Sequence, residues 1–137
     1  MSVVVDTPIW SFAYRRRKHT LAEQRAVQEL GHLIQLQEAW LIGPVRQEVL
    51  SGFPQPKQFS ELRRILRSFE DLEIETADYE LAAELTHKCR RRGVQGSPTD
   101  FLICALSLRY QAPVFTTDGD FKNYAPIIGI QLYQPIT

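Results

Sequence analysis

The segment Val3-Val4-Val5-Asp6-Thr7-Pro8 places a β-branched run directly before an acidic residue and a helix start. Consecutive valines are typical of a strand that is buried on both faces, as the strands of parallel sheets are. Thr7 fits the N-cap of a helix and Pro8 fits its first position. This opening predicts a buried strand at 3–5 that leads at once into a helix, with Asp6 at the junction.

The same alternation of strand and helix continues along the chain. Short apolar runs predict four more strands, at 40–42, 72–74, 112–116 and 130–133. Helical periodicity and helix-start signals predict further helices at 21–38, 44–51, 59–69, 78–92, 98–110 and 120–124. Such alternation predicts an α/β fold with a short parallel sheet flanked by helices on both faces. Ligands of these sheets bind outside the carboxyl ends of the strands.

Length and composition narrow the class of protein. The 137 residues fit one domain over 1–137, long enough to bury a core without disulfides. Basic and acidic residues both number 16, which argues against a general nucleic-acid coat protein because such proteins are strongly basic. Cys89 and Cys104 lack the spacing of a disulfide framework or a zinc site. With no signal peptide and no apolar stretch near the roughly 20 residues of a membrane helix, we expect a cytoplasmic protein.

Four acidic residues lie where the predicted elements meet the expected ligand crevice. Asp6 follows the first strand, and Asp118 follows the fourth. Asp100 lies in the first turn of the helix before the fourth strand, and Glu48 lies one turn inside the helix after the second. Each also has an ordinary structural explanation. Asp6 and Asp100 fit helix caps, Asp118 fits a turn, and Glu48 fits a solvated helix face.

A group of carboxylates in one crevice is what metal-dependent phosphodiester cleavage needs. The reaction requires an activated water and neutralisation of the charge that grows on the phosphorus oxygens, and one or two Mg²⁺ or Mn²⁺ ions supply both. These cations prefer oxygen ligands and keep several waters, so a few carboxylates suffice. The four acids together therefore indicate a divalent-metal site for phosphoryl chemistry.

Four segments of the chain resemble, in order, the motifs of PIN domains: 3–7, 44–52, 99–105 and 114–121. The likeness covers nearly the whole chain, and the bacterial and archaeal single-domain members of this size are mostly VapC-like toxins. The resemblance implies a PIN-like, Rossmann-like domain, Mg²⁺- or Mn²⁺-dependent endonucleolytic cleavage of RNA, a homodimer, and neutralisation by a VapB-like antitoxin. It also implies that the catalytic metal ligands are Asp6, Glu48, Asp100 and Asp118.

The fourth of these motifs carries two further candidates. Asp120 stands two residues after Asp118, so either acid can be the fourth ligand. Thr116 is similar to family positions whose hydroxyl holds a ligand or a water. Its ordinary alternative is a threonine that simply ends a strand.

A basic run follows the first predicted helix, at Arg15, Arg16, Arg17 and Lys18. Basic side chains beside an acidic crevice can grip the phosphates of RNA. The alternative is an ordinary solvated surface.

Two other functions fit parts of the pattern. One is a different Mg²⁺-dependent phosphohydrolase, such as a haloacid-dehalogenase-like phosphatase. That enzyme would want an aspartate two residues after Asp6, where Pro8 stands. The other is a catalytically silent PIN-fold module that binds RNA or protein, and the presence of all four acids counts against it.

Overall fold

The computed structural model describes residues 1–135, so the last two positions of the predicted domain lie outside it. Its sheet has three parallel strands in the order β2-β1-β3, which are β1 Val3–Val5, β2 Ala39–Trp40 and β3 Val114–Phe115. Val4 of the central strand pairs with Trp40 on one side and with Val114 on the other. The predicted α/β fold with a short parallel sheet is confirmed.

Seven helices within residues 1–135 flank this sheet. They are α1 Thr7–Tyr14, α2 Leu21–Gln35, α3 Gly43–Ser51, α4 Pro56–Leu66, α5 Thr76–Arg90, α6 Pro98–Tyr110 and α7 Asp120–Ile128. Because the strands are parallel, their carboxyl ends meet at one edge of the sheet. The segments that leave this edge begin with Asp6, Leu41 and Thr116.

The predicted strand at 72–74 is wrong. The structure has only a single bridge there, between Asp71 and Leu41. Just beyond it, the carbonyl of Glu73 accepts a hydrogen bond of 3.0 Å from the guanidinium of Arg109. That carbonyl is therefore paired with a side chain and does not extend the ladder.

The predicted strand at 130–133 is also wrong and reduces to one bridge, between Leu132 and Val114. The Val114 amide donates to the carbonyl of Gln131, and the Tyr133 amide donates to the carbonyl of Val114. Both bonds go to one residue of β3, a strand of only two residues, so the pairing does not continue.

Helices α1 and α6, which carry two of the candidate acids, both begin at a side-chain cap. Asp6, and not Thr7, is the N-cap of α1, since its carboxylate accepts a hydrogen bond of 2.8 Å from the Thr7 amide. Ser97 is the N-cap of α6, the helix predicted at 98–110, and its hydroxyl accepts a hydrogen bond from the Asp100 amide at 3.1 Å.

Four helix ends differ from prediction. Helix α2 ends at Gln35 and not at position 38, and α4 ends at Leu66 and not at position 69. Helix α5 ends at Arg90 with Arg91 as its C-cap, two residues before the predicted end at 92, and Gly93 follows with a left-handed φ of 78°.

Helix α7 continues past Tyr124 and through Pro126. It ends at Gly129, whose φ of 80° suits glycine because other residues meet a Cβ penalty in this region.

Helix α6 is the centre of the core. Seven consecutive residues, 101–107, are buried because α6 packs against β1 and β3 as well as against α5. Cys104 and Cys89 are buried free thiols, and burial raises the pKa of both.

Across residues 1–135, no helix combines the length and apolar character that a membrane span requires.

An ion pair between a buried acid and a partly exposed arginine fastens α5 to α6. The Asp78 carboxylate, 1% exposed, accepts hydrogen bonds of 2.7 and 2.8 Å from the guanidinium of Arg109 and one of 2.8 Å from the Glu75 amide. Burial acts to raise the pKa of Asp78, but these hydrogen bonds and the charge of Arg109 together hold it below its ordinary value. The pair keeps the helix that carries Asp100 in register with its neighbour.

Candidate metal centre

A single hydroxyl group joins the ends of two strands at the carboxyl edge of the sheet. Thr116 Oγ1 donates a hydrogen bond of 2.7 Å to Asp6 Oδ2 and accepts one of 2.9 Å from the Asp118 amide. The register explains this meeting, because Val5 pairs with Phe115 and the next residues of the two strands are then side by side. Thr116 thus links two of the predicted metal-binding acids.

Asp6 is the most deeply placed acid of the site, with 3% of its surface exposed. Burial raises its pKa to about 6, and the negative charges of Asp100 and Asp118 act in the same direction. Hydrogen bonds from Thr116 and Thr7 oppose the shift. A carboxylate held under these conditions favours a neutralising cation.

Asp100 projects from the first turn of α6 and is half-buried. Its Oδ2 accepts a hydrogen bond of 2.7 Å from the hydroxyl of Tyr124. Burial raises the pKa of Asp100, and the charges of Asp118 and Asp120 add to that effect. Burial and the contact with Asp100 also raise the pKa of Tyr124, so its hydroxyl keeps the proton that it donates.

Three acids come together tightly enough to share one cation. One carboxylate oxygen each from Asp100, Asp118 and Asp120 lies within 4.8 Å of the others. The Asp120 amide donates to Asp118 Oδ1 at 2.9 Å, which shapes the turn that presents both side chains. Carboxylate oxygens at this spacing fit a hard divalent ion that keeps part of its water shell. Asp118 and Asp120, which the sequence offered as alternatives, are both in the group.

Glu48 reaches the site from α3 and stands outside that group of three. It is exposed, and its Oε1 accepts a hydrogen bond of 2.7 Å from the hydroxyl of Thr7. Because Thr7 directly follows Asp6, this bond ties Glu48 to the residue next to the buried acid. Glu48 therefore lies at the border of the carboxylate cluster.

The basic run lies at the far end of α1 from the acids. Asp6 caps the N-terminus of this 8-residue helix, and Arg15 caps its C-terminus, about 12 Å away at the usual helical rise. Arg16 forms an exposed ion pair with Glu61 at 3.1 Å, and Arg17 pairs at 2.6 Å with Glu23, whose side chain is mostly covered.

Arg15 instead stacks over the ring of Phe53, with its guanidinium carbon 4.9 Å from the centroid. The basic run therefore surrounds the C-terminus of α1, and the structure does not bring it into the carboxylate group.

Sequence reasoning missed two residues of the site. Tyr124 was expected only to end a helix, and nothing in the sequence pairs it with Asp100, which is 24 positions away. Thr7 was expected to be a cap, but its hydroxyl holds Glu48. The only available signal for Thr7 was its position directly after Asp6.

Similarity to known proteins identifies the family of this chain. The family model of the PIN domain matches residues 3–126, so the chain belongs to the PIN domain family. Two similar relatives are VapC ribonuclease Mb1587 of Mycobacterium bovis and ribonuclease VapC11 of Mycobacterium tuberculosis. Each is 29% identical to this chain over 133 residues, which cover 94% of this chain and 96% of the relative.

Solved structures show the same fold at low sequence identity. FitAcB from Neisseria gonorrhoeae superposes with a TM-score of 0.76 at 20% identity, over 97% of both chains. VapBC2 from Rickettsia felis, bound to a DNA fragment from its promoter, gives a TM-score of 0.72 at 18% identity, over 97% of this chain and 98% of the other. The predicted resemblance to PIN domains is confirmed.

Proposed function

We propose that this chain, as a single nuclease domain over 1–137, is a metal-dependent endoribonuclease and the toxin of a VapBC-like toxin–antitoxin pair. The observation that carries the proposal is the approach of the Asp100, Asp118 and Asp120 carboxylates to within 4.8 Å, in a chain of the PIN family. The names of the mycobacterial relatives support ribonuclease activity. Two free, buried cysteines support a reducing cytoplasm as its compartment.

The proposed metal ligands are Asp6, Glu48, Asp100, Asp118 and Asp120, with Mg²⁺ or Mn²⁺ as the ion. A bound ion would activate a water and neutralise charge on the scissile phosphate. Without a cation, the clustered carboxylates repel a phosphodiester as well as each other.

Hydrogen bonds from neighbouring side chains orient three of the proposed metal ligands. Asp6 is fixed by Thr116, and Asp100 is fixed by Tyr124, so both carboxylates are oriented before metal or RNA arrives. Glu48 is exposed and held through Thr7, and it completes the set from the side of α3. Pre-oriented ligands of this kind place the reacting groups without a further ordering cost.

Arg15, Arg16, Arg17 and Lys18 remain our proposal for RNA contact. All four are exposed. The Arg16–Glu61 pair is exposed on both sides, and such pairs are worth about 1 kcal/mol or less, so a phosphate can replace Glu61. Contact at this distance from the acids implies an RNA that runs along α1.

The proposed partners are a VapB-like antitoxin and a second copy of this chain. The neighbouring toxin–antitoxin structures support the antitoxin. We propose that it packs on the exposed part of the 10–18 segment and places a basic side chain among the acids. Trp10 is fully buried, so it belongs to the core and offers no contact to the antitoxin or to RNA. Mass measurement in solution tests the homodimer.

Cleavage of a mixed RNA pool by the purified chain tests the nuclease. We expect cleavage that stops with EDTA, returns with Mg²⁺ or Mn²⁺, and is absent from Asp100→Asn prepared in parallel. Cleavage that survives EDTA, or that is equal in the variant, contradicts the proposal. A folded, metal-binding chain that cleaves nothing supports the silent PIN-fold module instead.

Growth of a bacterial host tests the toxin part separately. Expression of the chain alone should slow growth, and Asp100→Asn should not. Unaffected growth with soluble, RNA-cleaving protein would reject the toxin while the nuclease stands.

A further inference from the structure

Tyr124 is a buried residue whose one polar atom points at the candidate metal centre. Its hydroxyl donates to Asp100 Oδ2 at 2.7 Å, and its side chain is 0% exposed. The ring packs against Phe101 and Phe121, with centroids 5.0 and 5.2 Å apart. Rings on two sides leave the hydroxyl little freedom, so the direction of this hydrogen bond is fixed by the core.

Gly96 preserves the space that this hydroxyl occupies. A Cβ at position 96 would lie 2.7 Å from Tyr124 Cζ and would meet the hydroxyl oxygen more closely still. The backbone of Gly96 is not among those with positive φ, in contrast to Gly93. Close approach of Tyr124, and not backbone conformation, is therefore the reason for glycine here.

A carboxylate at the end of a side chain has a broad torsional preference and does not orient itself. It also has about four acceptor positions, so one hydrogen bond leaves room for a cation. Hydrogen-bond partners behind a metal ligand commonly change metal affinity by about 10- to 100-fold.

We propose that Tyr124 is a positioning residue that sets the orientation of the Asp100 carboxylate for a divalent cation, and that Gly96 makes this contact possible. The inference rests on the proposed function. A purely structural Tyr124 would need Asp100 only to satisfy a buried hydroxyl, and removal of that hydroxyl would then change stability without changing affinity for metal.

The test measures Mn²⁺ binding to the metal-free chain without RNA, from the EPR signal of free Mn²⁺. Tyr124→Phe keeps the ring and removes the hydroxyl, and we expect it to weaken Mn²⁺ binding by about 10- to 100-fold. Saturating Mn²⁺ should restore most of kcat for RNA cleavage and leave the KM for RNA unchanged. The matched control is Tyr110→Phe, at the far end of α6, where the hydroxyl donates to the Glu73 carbonyl. It should bind Mn²⁺ as the parent does.

A second variant disturbs the contact between Tyr124 and Asp100 by filling the space beside the Tyr124 hydroxyl. Gly96→Ala should displace the Tyr124 ring and weaken Mn²⁺ binding to a similar degree. The double variant should lose little more than Gly96→Ala alone, because both changes act through one contact. Gly31→Ala, where an added Cβ meets nothing within 4 Å, is the control and should leave binding unchanged.

The outcomes separate this inference from the proposed function. A parent that binds Mn²⁺ and cleaves RNA, with a Tyr124→Phe variant of equal affinity, overturns the positioning role alone. Equal losses in Tyr124→Phe and Tyr110→Phe overturn it too, since they reflect general destabilisation. A parent that neither binds Mn²⁺ nor cleaves RNA overturns both.

Discussion

The hydroxyl of Thr116 donates a hydrogen bond of 2.7 Å to the carboxylate of Asp6, a residue 110 positions earlier in the chain. The same oxygen accepts from the amide of Asp118. One side chain thereby fixes a buried acid and the start of the turn that carries two others. The site depends on this contact between the ends of β1 and β3.

Replacement of Thr116 by the isosteric valine tests this dependence. Thr116→Val leaves one oxygen of a buried carboxylate without its donor and should cost about 1–3 kcal/mol of stability. The hydrogen bond also lowers the pKa of Asp6, so its loss should raise that pKa further and reduce RNA cleavage. Thr117→Val, at the exposed neighbouring position, is the control for both measurements. If Thr116→Val cleaves RNA at the rate of the parent, the site does not depend on Thr116.

The two acids of the turn before α7 should both contribute to metal binding. Asp118→Asn and Asp120→Asn each remove one charge from the group of three carboxylates. We expect each to weaken Mn²⁺ binding by at least about tenfold. Loss of a residue that only hydrogen-bonds to a metal ligand already weakens metal binding by about 10- to 100-fold, and loss of a ligand itself should cost no less. Calorimetric titration measures this, with the exposed acid Glu80 changed to Gln as the control. If one variant binds as tightly as the parent, that acid is not a ligand.

The order of the strands and helices was predictable from local patterns. The β-branched run 3–5 and the Ser97-Pro98 helix start reflect preferences that short segments carry by themselves. The strands predicted at 72–74 and 130–133 failed for a different reason. A strand needs a partner with free backbone groups, and the apolar pattern of one segment does not reveal whether that partner exists.

Some residues of the candidate site could also be predicted from the sequence, and others could not. Residues near strand ends, such as Asp6 and Asp118, could be placed because the carboxyl edge of a parallel sheet collects them. The contact of Tyr124 with Asp100 could not, since it depends on how α7 packs beside α6. The distance of Arg15 from the acids could not be predicted either, because it depends on the length and direction of α1.

The ion pair between α5 and α6 predicts a pH dependence of stability. The pKa of Asp78 is lower in the folded chain than its ordinary value of 3.8, so its stabilising effect is present above about pH 4. The effect is lost as the pH falls through the folded pKa. Asp78→Asn should therefore cost roughly 1.5–3 kcal/mol near neutral pH, the range for hydrogen bonds to a charged group, and less at pH below 4.

Urea unfolding of parent and variant across this pH range, in EDTA, measures the difference. Asp71→Asn breaks a more exposed pair with Arg46 and should cost about 1 kcal/mol or less. A cost of Asp78→Asn that does not fall at acid pH would show that its charge contributes nothing.

We propose that these carboxylates form a divalent-metal site, and thermal unfolding with and without Mn²⁺ is the decisive measurement. Mn²⁺ at about 100 times its dissociation constant should stabilise the parent by about 2.7 kcal/mol and raise its Tm by roughly 10 °C. Asp100→Asn should be no less stable than the parent without metal, because it relieves repulsion among the acids, and its Tm should respond less to Mn²⁺. If Asp100 only interacts with the N-terminal dipole of α6, the variant loses a few tenths to about 1 kcal/mol without metal. A parent Tm that ignores Mn²⁺, together with a less stable metal-free Asp100→Asn, would contradict the account.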